Sequence, residues 1–184
     1  MLGLLLGAAL SAQGMLAPQP QGVTTVTALL GQPFSALRAE RGFSWGDTGL
    51  GLELSTRGVL RPMARARLEL LHLGPASAGL RGAAGAALPT FRQRARSRMI
   101  LRTAEAELAG AFDLSLSRRF CLELEGGMLA VTDFTTPHGA LFALARAGAG
   151  FAASDTLGLV AQAGVLRGAR GRSFLGSAGA ALRF

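Results

Sequence analysis

The sequence predicts an all-β protein, a single closed barrel of eight antiparallel up-and-down strands, and three observations indicate it. Apolar residues alternate with small or charged ones over most of the chain. The segments that alternate are long, and the connections between them differ in length. The length of 184 residues fits one domain.

The alternation has a period of two residues, which is typical of a strand with two unlike faces. It runs through residues 50–57, 64–70 and 102–116, and it returns in 120–125 and 174–184. A helix would repeat every three to four residues instead. These segments are therefore predicted to be strands.

Eight strands follow from this pattern, and several are longer than the roughly 5–6 residues usual in globular proteins. They span residues 22–31, 47–58, 63–73, 98–116, 119–132, 139–153, 156–167 and 173–184. Tight connections are expected near 59–62, 117–118 and 154–155, and longer ones near 32–46, 74–97, 133–138 and 168–172. Tight turns on one rim and longer loops on the other are typical of transmembrane β-barrels. We therefore expect residues 22–184 to form such a barrel, with both termini on the rim of the tight turns.

The composition excludes several other classes of protein. Apolar residues make up 49% of the chain and the mean hydropathy is +0.36, which argues against disorder. One cysteine and two histidines are too few for a disulfide scaffold or a zinc site. No stretch beyond residue 20 has about 18 consecutive apolar residues, as a membrane-spanning helix would need. We expect no metal and no cofactor.

The N-terminus begins with an apolar run, Leu2 to Leu10, followed by small residues as far as Gly14. This pattern predicts a secretory signal peptide over 1–14 and a linker over 15–21, although no basic residue precedes the run. A buried apolar strand or helix is the alternative.

The two faces of the predicted strands are inverted relative to those of a soluble protein. Leu, Ala, Val, Gly and Phe dominate one parity, whereas six of the seven glutamates lie on the other. The interior of an eight-stranded barrel is just wide enough for side chains to fill, so charges there must pair. The predicted lumen network is Glu53, Arg57, Arg65, Arg67, Glu69, Glu105, Glu107, Glu123, Glu125, Arg146 and Arg183. A soluble lipocalin-like carrier, the main alternative, would need an apolar interior.

Phenylalanines on the outer parity predict an aromatic girdle. Phe112, Phe120, Phe151 and Phe184 all lie at the tight-turn ends of their strands. Aromatic side chains of membrane barrels gather at the two headgroup levels. We expect these four in a lipid-facing ring at one boundary, with Trp45, Phe134 and Phe174 toward the other rim.

The net charge of +8 is concentrated in segments predicted to be loops. Arg38, Arg41 and Arg81 fall in such segments. The densest run holds Arg92, Arg94, Arg96 and Arg98. Guanidinium groups bind phosphate in a bidentate manner, so contact with anionic lipid headgroups is one interpretation of the run and a solvated loop is the other. Nothing else in the sequence supports a nucleic-acid partner.

The end of the chain resembles a known group of proteins. Phe184, with Leu182, Ala180 and Ala178 alternating before it, resembles the signal by which the assembly machinery of bacterial outer membranes recognises barrels. Segments 114–120 and 147–157 resemble the hairpins of small eight-stranded barrels of the OmpA/OmpX/opacity-protein type. The absence of Tyr and the single Trp depart from that pattern.

The resemblance implies a monomeric protein of the bacterial outer membrane. Its expected contacts are outer-membrane lipid, lipopolysaccharide and, through the C-terminal strand, the barrel assembly machinery. The implied role is non-enzymatic: envelope structure, surface interaction or limited passage of small solutes.

Some barrels of this kind modify lipid A by means of a histidine, and this enzymatic role is the second alternative. His72 falls on the outer parity with Glu69 on the other face, whereas His138 lies near Asp133, Thr135 and Thr136. The residues around His138 are ordinary turn formers. Cys121 falls on the inner parity as a small filler. We therefore expect no enzymatic activity.

Overall fold

The computed structural model describes residues 21–56, 58–89, 103–133, 139–169 and 171–184. Ten strands account for most of these residues. They are β1 (Thr24–Gln32), β2 (Phe34–Phe43), β3 (Gly46–Ser55), β4 (Val59–Leu73), β5 (Ala76–Pro89), β6 (Thr103–Ser115), β7 (Phe120–Asp133), β8 (Gly139–Ala152), β9 (Leu157–Gly168) and β10 (Gly171–Arg183). No helix in these ranges is long and apolar enough to cross a membrane, a finding that concerns helices alone.

The strands form one closed barrel. Each pairs antiparallel with the next in sequence, and β1 closes the circle against β10. Val26 lies opposite Leu182 at this seam. The Thr24 N–H donates to the Phe184 carbonyl at 3.1 Å, and the Phe184 N–H donates to the Thr24 carbonyl at 2.8 Å. The expectation of a closed antiparallel up-and-down barrel is confirmed.

The barrel has two rims, which we name by what they carry. The terminal rim holds the start of β1, the end of β10 and the turns 44–45, 74–75, 116–119 and 153–156. The loop rim is the opposite one, where β5 ends at Pro89 and β6 begins at Thr103.

The predicted number of strands is wrong, because two strands lie in segments assigned to loops. One is β2, FSALRAERGF, in which charged residues occur on both faces and blur the alternation. The other is β5, ASAGLRGAAGAALP, in which Ala and Gly dominate both faces and leave almost no hydropathy contrast. Arg38, Arg41 and Arg81 therefore lie on strands and not in loops.

The missed β2 also reverses the predicted direction of β3 and β4. The connection between them, at 56–58, is on the loop rim and not with the termini as expected for the tight turn near 59–62. The missed β5 reverses the chain direction a second time, so that β6 and the later strands run in the predicted directions. The turns at 116–119 and 153–156 are therefore on the terminal rim as expected.

The outer surface of the barrel is apolar. Among its most exposed side chains are Leu30 at 79%, Leu50 at 69% and Leu108 at 62% relative exposure. The buried side chains include Glu53, Arg65, Arg67, Arg81, Asp113, Glu123 and Glu125. A soluble domain has charged residues outside and few buried charges. The faces of this barrel are therefore inverted relative to a soluble protein, with apolar side chains outside and charged ones inside.

A β-bulge in β4 locally changes which residues face inward. The register with β5 shifts between Glu69 and Leu71, so that His72 lies opposite the buried Ser77. An extra residue in one strand reverses the parity beyond it. The assignment of His72 to the outer face is therefore wrong, since the bulge places it on the same face as Glu69.

Several predictions concern residues outside the described ranges. They are the signal peptide 1–14, the linker up to residue 20, Arg57, the basic run Arg92, Arg94, Arg96 and Arg98, and the loop residues Phe134 and His138.

Candidate functional site

The half of the lumen nearer the terminal rim holds an ion-pair network. Arg67 on β4 contacts Glu123 on β7 at 2.7 Å and Asp113 on β6. Arg81 on β5 contacts Glu125 on β7. The Arg81 guanidinium also lies 3.6 Å from Glu123 and 3.8 Å from Glu40 on β2. We call these six residues the terminal network, and it links β2, β4 and β5 with β6 and β7.

The carboxylates of this network separate two like charges. Arg67 and Arg81 are directly opposite each other in the β4–β5 register. Like charges across a strand pair are destabilising unless something neutralises them. Glu123 on β7, which lies within ion-pair distance of both guanidinium groups, does so.

The half nearer the loop rim has a different balance. The Glu53 carboxylate accepts from Arg65 at 2.5 Å, from Arg61 at 2.9 Å and from Arg38 at 3.3 Å. Arg61 also contacts Glu105. We call these five residues the loop cluster, in which one carboxylate is shared by three guanidinium groups.

Arg146 on β8 joins the two halves. Its guanidinium contacts Glu107 on β6 and lies 2.7 Å from Glu125 of the terminal network. Glu125 and Arg146 are also register partners across β7 and β8.

Inward-facing glycines make room for these long side chains. A Cβ atom added at Gly49 would lie 2.6 Å from Cγ of Glu40, and one added at Gly164 would lie 2.7 Å from Cγ of Arg146. Both distances are shorter than a normal contact. The small residues on the inner face are therefore part of how the lumen accommodates its charges.

A cavity opens above the loop cluster toward the loop rim. Its volume is ≈ 740 Å³ when the space open to solvent at its mouth is included. Arg38, Arg61, Arg65 and Arg146 line it with Glu53 and Glu107. Leucines such as Leu129 and Leu144 form its apolar wall, and Phe34 is near its mouth, with the Arg61 guanidinium 4.3 Å from its ring centroid.

The structure brings together most of the residues of the predicted lumen network. Glu53, Glu105, Glu107, Glu123 and Glu125 face inward, and each contacts an arginine. Arg65, Arg67 and Arg146 are among these arginines. Arg183 lies half-buried on β10 next to the terminal rim.

Glu69 is not part of this network. Its carboxylate is near the terminal rim, 30% exposed, and contacts Nδ1 of His72 at 2.6 Å. The β4 bulge brings the His72 side chain to the same face as that of Glu69.

Sequence reasoning missed six charged residues among those described in the lumen: Arg38, Glu40, Asp47, Arg61, Arg81 and Asp113. Arg38, Glu40 and Arg81 were missed because β2 and β5 were not recognised, and Arg61 because it was assigned to a turn. Asp113 has the parity of Glu105 and Glu107, which could have identified it.

The predicted girdle residues are on the outer surface at the terminal-rim ends of their strands. Phe120 lies opposite Phe151, whereas Phe112 lies opposite Leu124, four residues further along β7. Phe112, Phe151 and Phe184 are exposed, and Phe120 is half-buried.

The expected position of Trp45 is wrong. Trp45 is in the turn between β2 and β3, which the extra strand places at the terminal rim. Its ring stacks on Phe43 with centroids 5.4 Å apart. Phe174, exposed near the start of β10, is close to the loop rim.

The described residues contain no group of His, Cys, Asp and Glu that could hold a metal ion. Cys121 is buried, with its thiol 3.8 Å from the Gly150 carbonyl oxygen. The charged chemistry of the lumen is thus that of guanidinium and carboxylate groups.

Comparison with known proteins gives little further information. The chain matches no protein-family model and no curated protein. It is similar to the crystal structure of Ail, the attachment invasion locus protein of Yersinia pestis, with 12% identity and a TM-score of 0.31 over 90% of this chain and 100% of that chain. The function is therefore inferred from the chain's own geometry.

Proposed function

We propose that this chain is a non-enzymatic β-barrel of the bacterial outer membrane, with a closed lumen and an envelope-structural role. One observation carries the proposal: the barrel exposes its leucines and buries its ion pairs.

The exposed leucines favour a lipid environment. Monomeric soluble proteins rarely expose contiguous apolar patches larger than a few hundred Å². Leu50, Leu52 and Leu54 on β3 all point outward, as do Leu80 on β5, Leu108 on β6 and Leu124 on β7. Membrane barrels carry an outward apolar band about 25 Å tall, and lipid tails would cover these side chains.

The strands have the length that this environment needs. A transmembrane strand takes about 9–11 tilted residues. The shortest strand, β1, has 9 residues and the longest, β4, has 15. Closure of β1 on β10 leaves no unpaired edge among the described strands. An unpaired edge exposed to lipid would leave backbone N–H and C=O groups without hydrogen bonds.

The lumen argues against the two other classes of protein. A lipocalin-like carrier would need an apolar interior, whereas Arg65, Arg67 and Arg81 are buried here. An open pore would need a water-filled channel, whereas the terminal network crosses the lumen from β2, through Arg81, to β7, five strands away. Of the roles that the sequence suggested, envelope structure fits this filled lumen better than solute passage.

The proposed partners follow from the apolar outer surface, the C-terminal strand and the basic run. Lipid and lipopolysaccharide would contact the apolar band, with Phe112, Phe120, Phe151 and Phe184 near one headgroup level. The β10 strand, which ends in Phe184, would engage the assembly machinery. Arg92, Arg94, Arg96 and Arg98 would contact anionic headgroups. The barrel is proposed to act as a monomer, because its described edges pair with each other.

Gel migration of the full chain tests the proposal. The protein is expressed in a Gram-negative bacterium, and the outer-membrane fraction is run in dodecyl sulfate with and without boiling. We expect the unheated band to migrate ahead of the boiled one, because a membrane barrel stays folded in this detergent at room temperature. Recovery in the soluble periplasmic fraction, with one band position regardless of heating, would refute it.

A further inference from the structure

We propose that the loop-rim cavity binds a small amphipathic anion, an organic molecule with one carboxylate or phosphate group and an apolar body. This binding site goes beyond the proposed structural role, and it rests on the cavity and not on the membrane.

Guanidinium groups outnumber carboxylates around the cavity. Its described lining contains four arginines and two glutamates, and two further glutamates outside the lining, Glu105 and Glu125, contact Arg61 and Arg146. Glu53 is already shared by Arg38, Arg61 and Arg65. Arg38 and Arg65 have no other carboxylate partner among the described residues, so positive charge is in excess at this end of the cavity and favours the entry of an anion.

Arg65 supplies the most specific feature. Its side chain is 5% exposed, and one amino group, Nη2, donates to Glu53. Its Nε and Nη1 atoms are buried and have no hydrogen-bond partner among the described residues. An unsatisfied buried donor costs about 1–3 kcal/mol, and more when it is charged. An anion that reached this end of the cavity would satisfy donors that the protein leaves unpaired.

Three neighbouring guanidinium groups extend the site toward the mouth. Arg38, Arg61 and Arg146 line the cavity, and their side chains are 10%, 12% and 15% exposed. The Nε atoms of Arg38 and Arg61 also have no partner among the described residues. Arginine's planar fork suits a carboxylate or phosphate, and both bind it in a bidentate manner.

The rest of the wall selects an apolar body. Leu29, Met63, Leu129, Leu144, Leu166 and Leu175 line the same cavity. The room inside the cavity for water-sized molecules is ≈ 90 Å³, so the apolar body of the ligand is small. The lining includes Gln32, Pro33 and Phe34, which lie at the loop rim, so the proposed ligand is a free solute from the aqueous side and not a lipid headgroup from the bilayer.

Calorimetric titration of the full chain, refolded in a zwitterionic detergent, tests the site. The probes are 4-phenylbutyrate, which has both parts of the predicted ligand, 4-phenyl-1-butanol, which lacks the charge, and inorganic phosphate, which lacks the apolar body. We expect the carboxylate to bind at least tenfold more tightly than either of the other two. Equal affinity for the alcohol, tighter binding of phosphate, or no binding of any probe would each overturn the proposal.

Two variants and a control locate the site. Arg65→Met should weaken 4-phenylbutyrate binding at least tenfold, and Arg65→Lys should weaken it less because the charge remains. Arg172→Met serves as the control, since Arg172 is exposed on β10 near the same rim and outside the cavity lining. Heat-dependent migration shows that each variant is folded, so a loss of ligand binding can be distinguished from a loss of the folded barrel. Unchanged affinity in both Arg65 variants would overturn the assignment.

Discussion

The two halves of the lumen contain the same two kinds of charged group, guanidinium and carboxylate, in different proportions. In the terminal network, two guanidinium groups meet four carboxylates, and opposite walls are joined. In the loop cluster, three guanidinium groups share Glu53 and a cavity remains above them. The half with more carboxylates than guanidinium groups is thus filled, whereas the half with more guanidinium groups retains a cavity.

This difference sets what each half contributes to stability. A buried charge that loses its partner is strongly destabilising, whereas a charge with spare partners is not. Removing an arginine should therefore cost much more in the terminal network than in the loop cluster. Urea unfolding of the refolded barrel in detergent micelles measures the comparison.

The largest loss is expected for Arg81→Met. The substitution leaves Glu125 and Glu123 as neighbouring buried carboxylates with one arginine contact fewer each. The free energy of unfolding should fall by about 3–5 kcal/mol. Arg41→Met on the exposed side of β2 is the control, with a change of less than about 0.5 kcal/mol. Equal effects of the two substitutions would contradict the network's role.

Arg146→Met should have an intermediate effect. It removes the contact to Glu107, but Glu125 retains Arg81. We expect a loss of about 2 kcal/mol, the size of a hydrogen bond to a charged group. The double variant with Glu107→Gln should recover part of it, because the uncompensated carboxylate is then gone. Exact additivity of the two single losses would show that the pair does not interact.

Arg65→Met should cost little, about 1 kcal/mol or less. Glu53 keeps Arg38 and Arg61, and the substitution also removes two buried donor atoms that have no partner in the described part of the chain. The same urea unfolding measures it. A loss as large as that of Arg81→Met would abolish the distinction between the two halves.

His72→Ala should have the smallest effect. The contact between His72 and Glu69 lies at the terminal rim, where His72 is 52% exposed. Exposed ion pairs contribute about 0–1 kcal/mol, so the change should be below about 0.5 kcal/mol. A larger loss would mean that the terminal network extends to the rim.

The sequence predicted the architecture better than the strand count, for a physical reason. Parity is readable where Glu or Asp alternates with Leu, as in β6 and β7, and Glu105, Glu107, Glu123 and Glu125 face the lumen there. In β5 nearly every residue is Ala or Gly, and both faces look alike. Small residues suit a crowded lumen on one face and a lipid contact on the other, so they carry no signal of direction.

The site was predictable only in part, because ion pairs depend on which strands are neighbours. The parity of Glu123 could be read from β7 alone, but its partners Arg67 and Arg81 depend on β4 and β5. Missing one strand also reversed the expected rim of Trp45. The β4 bulge, which pairs Glu69 with His72, has no sequence signal strong enough to place it.

The inversion of the two faces is the central claim, and fluorescence quenching by lipid bromines tests it most directly. The single Trp45 is first replaced, Trp45→Phe, and one tryptophan is then introduced on β7, at Met128→Trp or at Leu129→Trp. Met128 is outward and 56% exposed, whereas Leu129 is buried and lines the loop-rim cavity. In vesicles of lipid brominated in mid-chain, we predict strong quenching of the tryptophan at 128 and weak quenching at 129. Equal quenching at the two neighbouring positions, or stronger quenching at 129, would contradict the inversion.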